Sequence, residues 1–390
     1  MRPARFRLLA LSLTSLLLAA CATTPAPLSC KAPATPLAPA SIGRLALVAQ
    51  ATLPRQPNNL MLDYGGISAI DYEPQSGHWY LISDDRSSRA PARFYEADIR
   101  YGAQGFSSLQ VLRVQPFRQP DGSYYPPKSV AGEVPDPESL RIDPCQGGLI
   151  WSSEGDRKLG LDPFIRRSTL DGRYTGSIAL PQNLRMHPKE MRGPRDNLTL
   201  EGLAFTQGGR ELWASVEAPL YEDGPLPDLT QGAYTRFNRI DLASGKVRQY
   251  AYPLDAIPLP GSYGEKRADQ GVSEILAIDD THLLVIERSG REVGDGAFDF
   301  DIRLYEATLG QASDVAGLAS LQGTAFVPMQ KRLLLHLNEA GLGHVDNIEG
   351  AAWGPPLPDG RAALVLVADD NFAANQLNQM ILLAVEPGKP

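Results

Sequence analysis

The chain has 390 residues, with 45 acidic side chains against 37 basic ones for a formal net charge of −8, and its pI is near 5.3. That balance argues against nucleic acid as a partner, because neutralising phosphates needs a basic stripe, and it suits cations better. The 33 prolines and 36 glycines point to many short elements joined by turns, in a chain long enough for one large core or two smaller ones.

Taken in chain order, residues 1–20 read as an export signal. Arg2, Arg5 and Arg7 form a basic start, Leu8 to Leu18 an apolar run, and small residues follow. The run falls short of the roughly 20 apolar residues of a membrane span. It ends at Leu18-Ala19-Ala20-Cys21, which resembles the lipobox of bacterial lipoproteins, so Cys21 is the expected lipidation site and a lipid anchor the expected membrane contact. Ala22 in place of an aspartate implies, by the same resemblance, the outer membrane, with the domain facing the periplasm or cell surface. Residues 21–43 are rich in Pro, Ala and Thr; they cannot build a packed core and read as a tether. Cys30 in the tether and Cys145 in the domain either pair in an oxidising compartment or stay as two isolated thiols.

Residues 44–390 carry an internal repeat. A small or acidic pair opens an apolar run, and after a gap a second run ends in acids, five times over. The marks Gly66, Glu138, Glu201, Glu274 and Glu349 are 72, 63, 73 and 75 residues apart, longer than a bare four-stranded propeller blade of about 40 to 50, so long loops fill the difference. Period-2 alternation and turns such as Leu170-Asp171-Gly172 predict β-meanders of about four strands per interval. The fifth unit is one strand short, and Arg44 to Ala51 offers a strand to complete it. These features predict an all-β fold, a β-propeller of four-stranded blades closed by an N-terminal strand, five by this count with six as the alternative.

If each unit begins on the innermost strand, the acids gather at one mouth of the channel. Candidate metal ligands are Asp84, Glu138, Glu154, Glu217, Glu274, Glu287, Asp369 and Asp370; candidate catalytic groups are Glu201, Glu349 and Asp85. Carboxylates at this density require a compensating charge, and hard oxygen ligands suit Ca²⁺. The alternative is that they end strands at the surface, paired with Arg86, Arg157 or Arg288. Arg185 to Asn197 is a basic loop leading into Glu201, from which Arg192, Arg195 and His187 are candidate contacts to an anionic substrate. Gly-x-Ser-x-Gly, His-Glu-x-x-His, P-loop and dinucleotide fingerprints are all missing.

Asp63-Tyr64-Gly65-Gly66-Ile67-Ser68-Ala69-Ile70, Ser83-Asp84-Asp85-Arg86, Asn197-Leu198-Thr199-Leu200-Glu201-Gly202-Leu203-Ala204 and Asp346-Asn347-Ile348-Glu349-Gly350 resemble the phytase-like domain proteins, the esterase-like proteins of the phytase family. The resemblance covers nearly all of the chain after the tether. It implies an extracytoplasmic propeller and hydrolysis of a small phosphate ester with Ca²⁺. The Asp-Asp-Pro-Ala-Ile-Trp pattern of the better-defined β-propeller phytases is absent, which sets phytate itself apart. Two other readings stay open: a noncatalytic propeller binding a surface ligand with structural Ca²⁺, and a carboxylesterase acting through Ser68. A monomer is expected.

Overall fold

A computed structural model describes residues 37–53, 64–258, 268–294 and 297–388. The expected signal segment, Cys21 and Cys30 lie outside the described residues. Cys145 is disulfide-bonded, and its partner lies outside them too.

Twenty strands form five antiparallel sheets of four. Blade 1 is β2 (Ile67–Glu73), β3 (His78–Ser83), β4 (Arg93–Gly102) and β5 (Gly105–Pro116); blade 2 is β6 (Pro137–Ile142), β7 (Leu149–Ser153), β8 (Phe164–Ser168) and β9 (Tyr174–Ile178). Blade 3 is β10 (Leu200–Phe205), β11 (Glu211–Val216), β12 (Ala233–Asp241) and β13 (Val247–Leu254); blade 4 is β14 (Gly271–Ala277), β15 (His282–Gly294), β16 (Ala297–Thr308) and β17 (Gln330–His336). Blade 5 combines β18 (Asn347–Gly354), β19 (Ala362–Asp369) and β20 (Gln379–Glu386) with β1 (Arg44–Thr52), which pairs with β20 from Arg44 opposite Glu386 to Thr52 opposite Gln379. The five-bladed propeller closed by its N-terminal strand is thus the architecture adopted.

The first strand of each unit is innermost: β2, β6, β10, β14 and β18 each pack on the next, and β18 returns to β2. Side-chain alternation turns one face of each blade toward each neighbour, and a separate apolar cluster fills every seam. Tyr80, Phe94 and Phe117 meet Trp151 between blades 1 and 2; Leu284, Ile286 and Ile302 meet Leu364 and Leu366 between blades 4 and 5. Phe117 stacks on Trp151 at 4.2 Å between ring centroids.

Every innermost strand is broken by a register shift at the same point, where one extra residue bulges out of the pairing: Ser68, Glu138, Glu201, Ser273 and Glu349 lie within the five shifts. These are the true repeat equivalents. In blades 1 and 4 they are serines, displaced by two residues from Gly66 and by one from Glu274. Gly202, which follows the bulged Glu201, has no room for a side chain because β14 backbone at Ile275 occupies the space a Cβ would take.

Below the bulges the channel is plugged by an ion pair. Arg141, on β6, donates to the carbonyls of Ile70 in blade 1 (2.9 Å), Leu203 in blade 3 (2.7 Å) and Ile275 in blade 4 (3.2 Å). Its guanidinium lies 2.6 Å from Glu274, with the two side chains 4% and 1% exposed. Glu274 in turn accepts from the backbone N–H of Ala351 in blade 5 at 3.4 Å. Burial raises the Glu274 pKa to about 7, against the pull of Arg141. Removing the cation alone leaves a buried carboxylate uncompensated. Arg141→Met is therefore expected to cost about 3–5 kcal/mol, and Arg141→Met/Glu274→Met to recover most of that loss. Urea unfolding of the two variants checks this; equal stability of Arg141→Met and wild type would refute the plug.

Candidate active site in the acidic funnel

Above the plug the bulges open into a funnel. Glu138, Glu201 and Glu349 come from the bulge positions, and a second ring comes from the residues next in line on the paired strands: Asp84, Glu154, Glu217, Arg288 and Asp369. Blade 4 thus puts an arginine where the other four put an acid. In three blades the backbone N–H of this residue is tied to the segment entering the inner strand: Asp84 to the Gly66 carbonyl, Glu154 to Asp136 and Glu217 to Thr199, all at 2.7–2.9 Å. That shared bond is why the acid recurs at one height. Gly66 is required there, since its φ is +62° and a Cβ would overlap the Asp84 carboxylate.

Five carboxylates form two overlapping groups, Asp136, Glu138 and Glu154, then Glu154, Glu201 and Glu217. Within each group one oxygen per residue lies within 4.8 Å of the others. An arginine stands at each end of the row. Arg86 contacts Asp136 at 3.0 Å and Asp156 at 2.6 Å; Arg288 contacts Glu217 at 2.9 Å and Glu349 at 3.6 Å. Both bridge between blades. Among the described residues their buried Nε atoms meet no acceptor, and the Glu154 carboxyl meets that of Glu201. Glu154 is 1% exposed, and its Oε1 accepts from Thr199 N–H at 2.6 Å.

These two guanidinium groups, with Lys128 3.2 Å from Asp156, do not balance so many acids. Burial pushes Glu154, Glu201 and Glu138 well above the usual carboxylate range, and their carboxylate neighbours push further. Asp84 and Asp369 are raised for the same reasons. Burial also lifts Asp136 and Glu217 to about 7, with Arg86 and Arg288 pulling each back. The donor set is entirely oxygen and flexible, which fits Ca²⁺; Glu154, which belongs to both groups, is the carboxylate such a cation would share between them.

Asp84, Glu138, Glu201, Glu217, Glu349 and Asp369 line the funnel together with Arg86, Asp136, Asn197, Asp269, Arg288 and Asn347. Glu154 stands in the carboxylate row, and the remaining expected residues lie elsewhere. Asp85 accepts from the backbone N–H groups of Ser88, Arg89 and Ala90 and from Arg93, while Asp370 accepts from Gly66 and Phe372. Glu287 faces the seam with blade 3, where it binds Tyr252 of β13 together with Gln270 and Lys331 of its own blade. Glu274 belongs to the plug. The basic loop wraps its backbone around Arg157, which donates to the carbonyls of His187, Glu190, Arg192 and Pro194. Arg195 donates to Pro219 and Gly224, and Arg192 is exposed beside Glu222; neither arginine nor His187 lines the funnel. Sequence reasoning missed Asp136, Asp269 and Asn347 as lining groups. The Asp-x-Glu spacing of Asp136 and Glu138 is the one signal that could have found the first.

Ser68 is buried at its bulge, with the Glu349 carboxylate beside its hydroxyl. None of the five histidines lines the funnel, so Ser68 has no imidazole base of the kind a serine esterase uses. Among the described residues four non-glycines have positive φ: Ser87, Asn197, Asn371 and Phe372. Asn197 and Asn371 line the funnel, and the other two adjoin lining residues, so the backbone strain is concentrated at the rim.

Residues 63–372 match the family described as Phytase-like, esterase-like activity of phytase. No curated protein sequence matches the chain. Solved structures with a similar course include an endo-arabinase from Bacteroides thetaiotaomicron, 15% identical over 87% of this chain and 99% of that one, with a TM-score of 0.42. An aldose sugar dehydrogenase in its PQQ-bound form from Streptomyces coelicolor is 12% identical, covering 89% and 100%, with a TM-score of 0.36. A gluconolactonase from Xanthomonas campestris is 10% identical, covering 88% and 98%, with a TM-score of 0.34.

The raised carboxyls set the sign of a pH effect. Between the unfolded carboxylate range near 4 and the raised folded values, the folded chain binds more protons than the unfolded one, so stability is present at low pH and falls as pH rises. Chelator-treated protein should lose melting temperature from about pH 5 to about pH 8, and Ca²⁺ should raise it more at the higher pH. Thermal scans at both values check this; a Ca²⁺ effect that is larger at the lower pH contradicts it.

Proposed function

The chain belongs to the phytase-like family, and on that premise we propose that it is a metal-dependent phosphoester hydrolase acting at the acidic funnel. The observation that carries the reading is the row from Arg86 through Asp136, Glu138, Glu154, Glu201 and Glu217 to Arg288. Within it Arg86 Nε, Arg288 Nε and Glu154 Oε2 are buried with no hydrogen-bond partner resolved among the described residues, apart from the contact of the Glu154 carboxyl with Glu201. Buried polar atoms left unpaired are costly, and a cation bound together with an anion satisfies all three.

Asp136, Glu138, Glu154, Glu201 and Glu217 would hold the cation, with Ca²⁺ the best match. When bound, it would polarise a phosphoryl oxygen and lower the pKa of a bound water. The protein's own part is electrostatic. Arg86 and Arg288 are placed at the two ends to donate to nonbridging phosphoryl oxygens. Water adds to phosphorus, the ester P–O bond breaks, and the departing oxygen takes a proton. Asp84, which stands outside that ligand set and whose pKa is raised by burial and by neighbouring acids, is suited to supply that proton.

The reading includes an extracytoplasmic address, with the chain anchored by lipid at Cys21 to the outer membrane, facing the periplasm or cell surface, and working as a monomer on a small phosphate ester. The disulfide at Cys145 supports an oxidising compartment.

Hydrolysis of simple phosphate esters should require added Ca²⁺, stop on chelation and return with the metal. Glu201→Gln should lower kcat/KM about a hundredfold or more. Steady-state assays check both; turnover indifferent to chelation and to Glu201→Gln would sink the proposal.

A further inference from the structure

Blade 4 departs from the other four at the funnel mouth. The second strands of blades 1, 2, 3 and 5 end at Ser83, Ser153, Val216 and Asp369, whereas β15 runs past Arg288 to Gly294 and pairs with β16 throughout. At about 3.3 Å per residue the hairpin therefore stands roughly 20 Å above the level of Arg288.

The register fixes what its funnel side carries. Arg288 lies opposite Ile302, Gly290 opposite Phe300 and Glu292 opposite Phe298, with no shift among them. Directly opposed residues share a face in an antiparallel pair, so Arg288, Phe300 and Phe298 follow one another up one side. Lower on that face Leu284, Ile286, Ile302 and Leu304 are sealed in the seam with blade 5. Phe300 closes the top of that seam as a buried member of the same cluster and Phe298 packs against it, and both rings also line the cavity of Glu201, Glu349 and Arg288. The two rings stack at 6.1 Å between centroids and 19° between planes. Gly290 leaves the edge of Phe300 without a covering side chain, and Phe298 is only partly buried.

We propose that this hairpin is a ring-binding subsite, so that the preferred phosphate ester carries an aromatic group on its leaving oxygen. The inference rests on the phosphoester reading above. A phosphoryl group drawn to the Arg288 side chain, which lines the same cavity as Phe298 and Phe300, puts its ester substituent up the funnel wall, where those apolar rings are what it meets. A flat ring gains contact there by stacking or edge-on packing, and a small alkyl group gains much less.

The test uses nonhydrolysable probes, so it reads binding without turnover. Phenylphosphonate and methylphosphonate are titrated into the Ca²⁺-loaded protein and into Phe298→Ala and Phe298→Leu, with circular dichroism confirming that both variants fold. Phenylphosphonate should bind wild type about tenfold tighter than methylphosphonate. In Phe298→Ala that ratio should fall to about twofold, and Phe298→Leu, apolar but not aromatic, should not restore it. Equal affinity for the two probes in wild type, or a preference that survives in both variants, overturns the subsite and leaves the phosphoester reading standing. Failure of both probes to bind wild type overturns the two together.

Discussion

The Arg141–Glu274 pair is the constraint from which the rest of the structure follows. Five innermost strands converge on an axis too narrow for a hydrophobic core and too enclosed for water to satisfy their backbone carbonyls. A guanidinium, with five donors in a planar fork, can serve carbonyls on several strands at once. Arg141 does so for blades 1, 3 and 4, and Glu274 extends the network to blade 5. The propeller is thereby held from its centre as well as from its seams. Its channel becomes a closed cup, since the pair blocks passage below the bulges.

Above that plug the protein does the opposite of what stability alone would favour. The bulged Glu138, Glu201 and Glu349 face Glu154, Glu217 and Asp369, with Arg86, Arg288 and Lys128 offsetting part of their charge. Each arginine crosses a seam, so the same contacts that moderate the charge also tie blade 1 to blade 2, and blade 4 to blades 3 and 5. The unbalanced remainder concentrates at Glu154, which belongs to both carboxylate groups. Repulsion stored in one place, with strained backbone at Asn197 and Asn371 on the rim, is the arrangement of a binding site, because a ligand that relieves it gains affinity that a relaxed surface cannot offer.

Much of the fold was legible. Alternation, turn residues and a five-times repeated unit gave the blades, and the missing strand of the last unit pointed to β1. The height of the funnel ring was legible in blades 2, 3 and 5, where the mark is itself a Glu. It was off by two in blade 1 and by one in blade 4, since a bulge inserts a residue without any change in composition: Ser68 and Ser273 occupy the positions that Gly66 and Glu274 had been given. That single slip sent Glu274 and Glu287 to the funnel on paper, whereas alternation turns them to the plug and to blade 3, and it hid Arg288 as a member of the ring. The basic loop misled for a different reason. Its charge pattern is visible in sequence, but its direction is set by Arg157, which binds four of its carbonyls and holds the segment with its cations away from the cup.

Closure by β1 also shapes how the molecule comes together. The outer strand of blade 5 comes from the start of the domain and its partner from the end, so that Arg44 meets Glu386 across 342 residues of chain. A contact of such sequence separation forms late and slowly, because the loop entropy is lost before any pairing compensates it. Until then the four completed blades present an unfinished fifth whose β20 edge is an open template. At high concentration that edge can accept β1 from a second copy as readily as its own, so crowded refolding should favour strand-exchanged dimers over monomers, and dilution should reverse the preference.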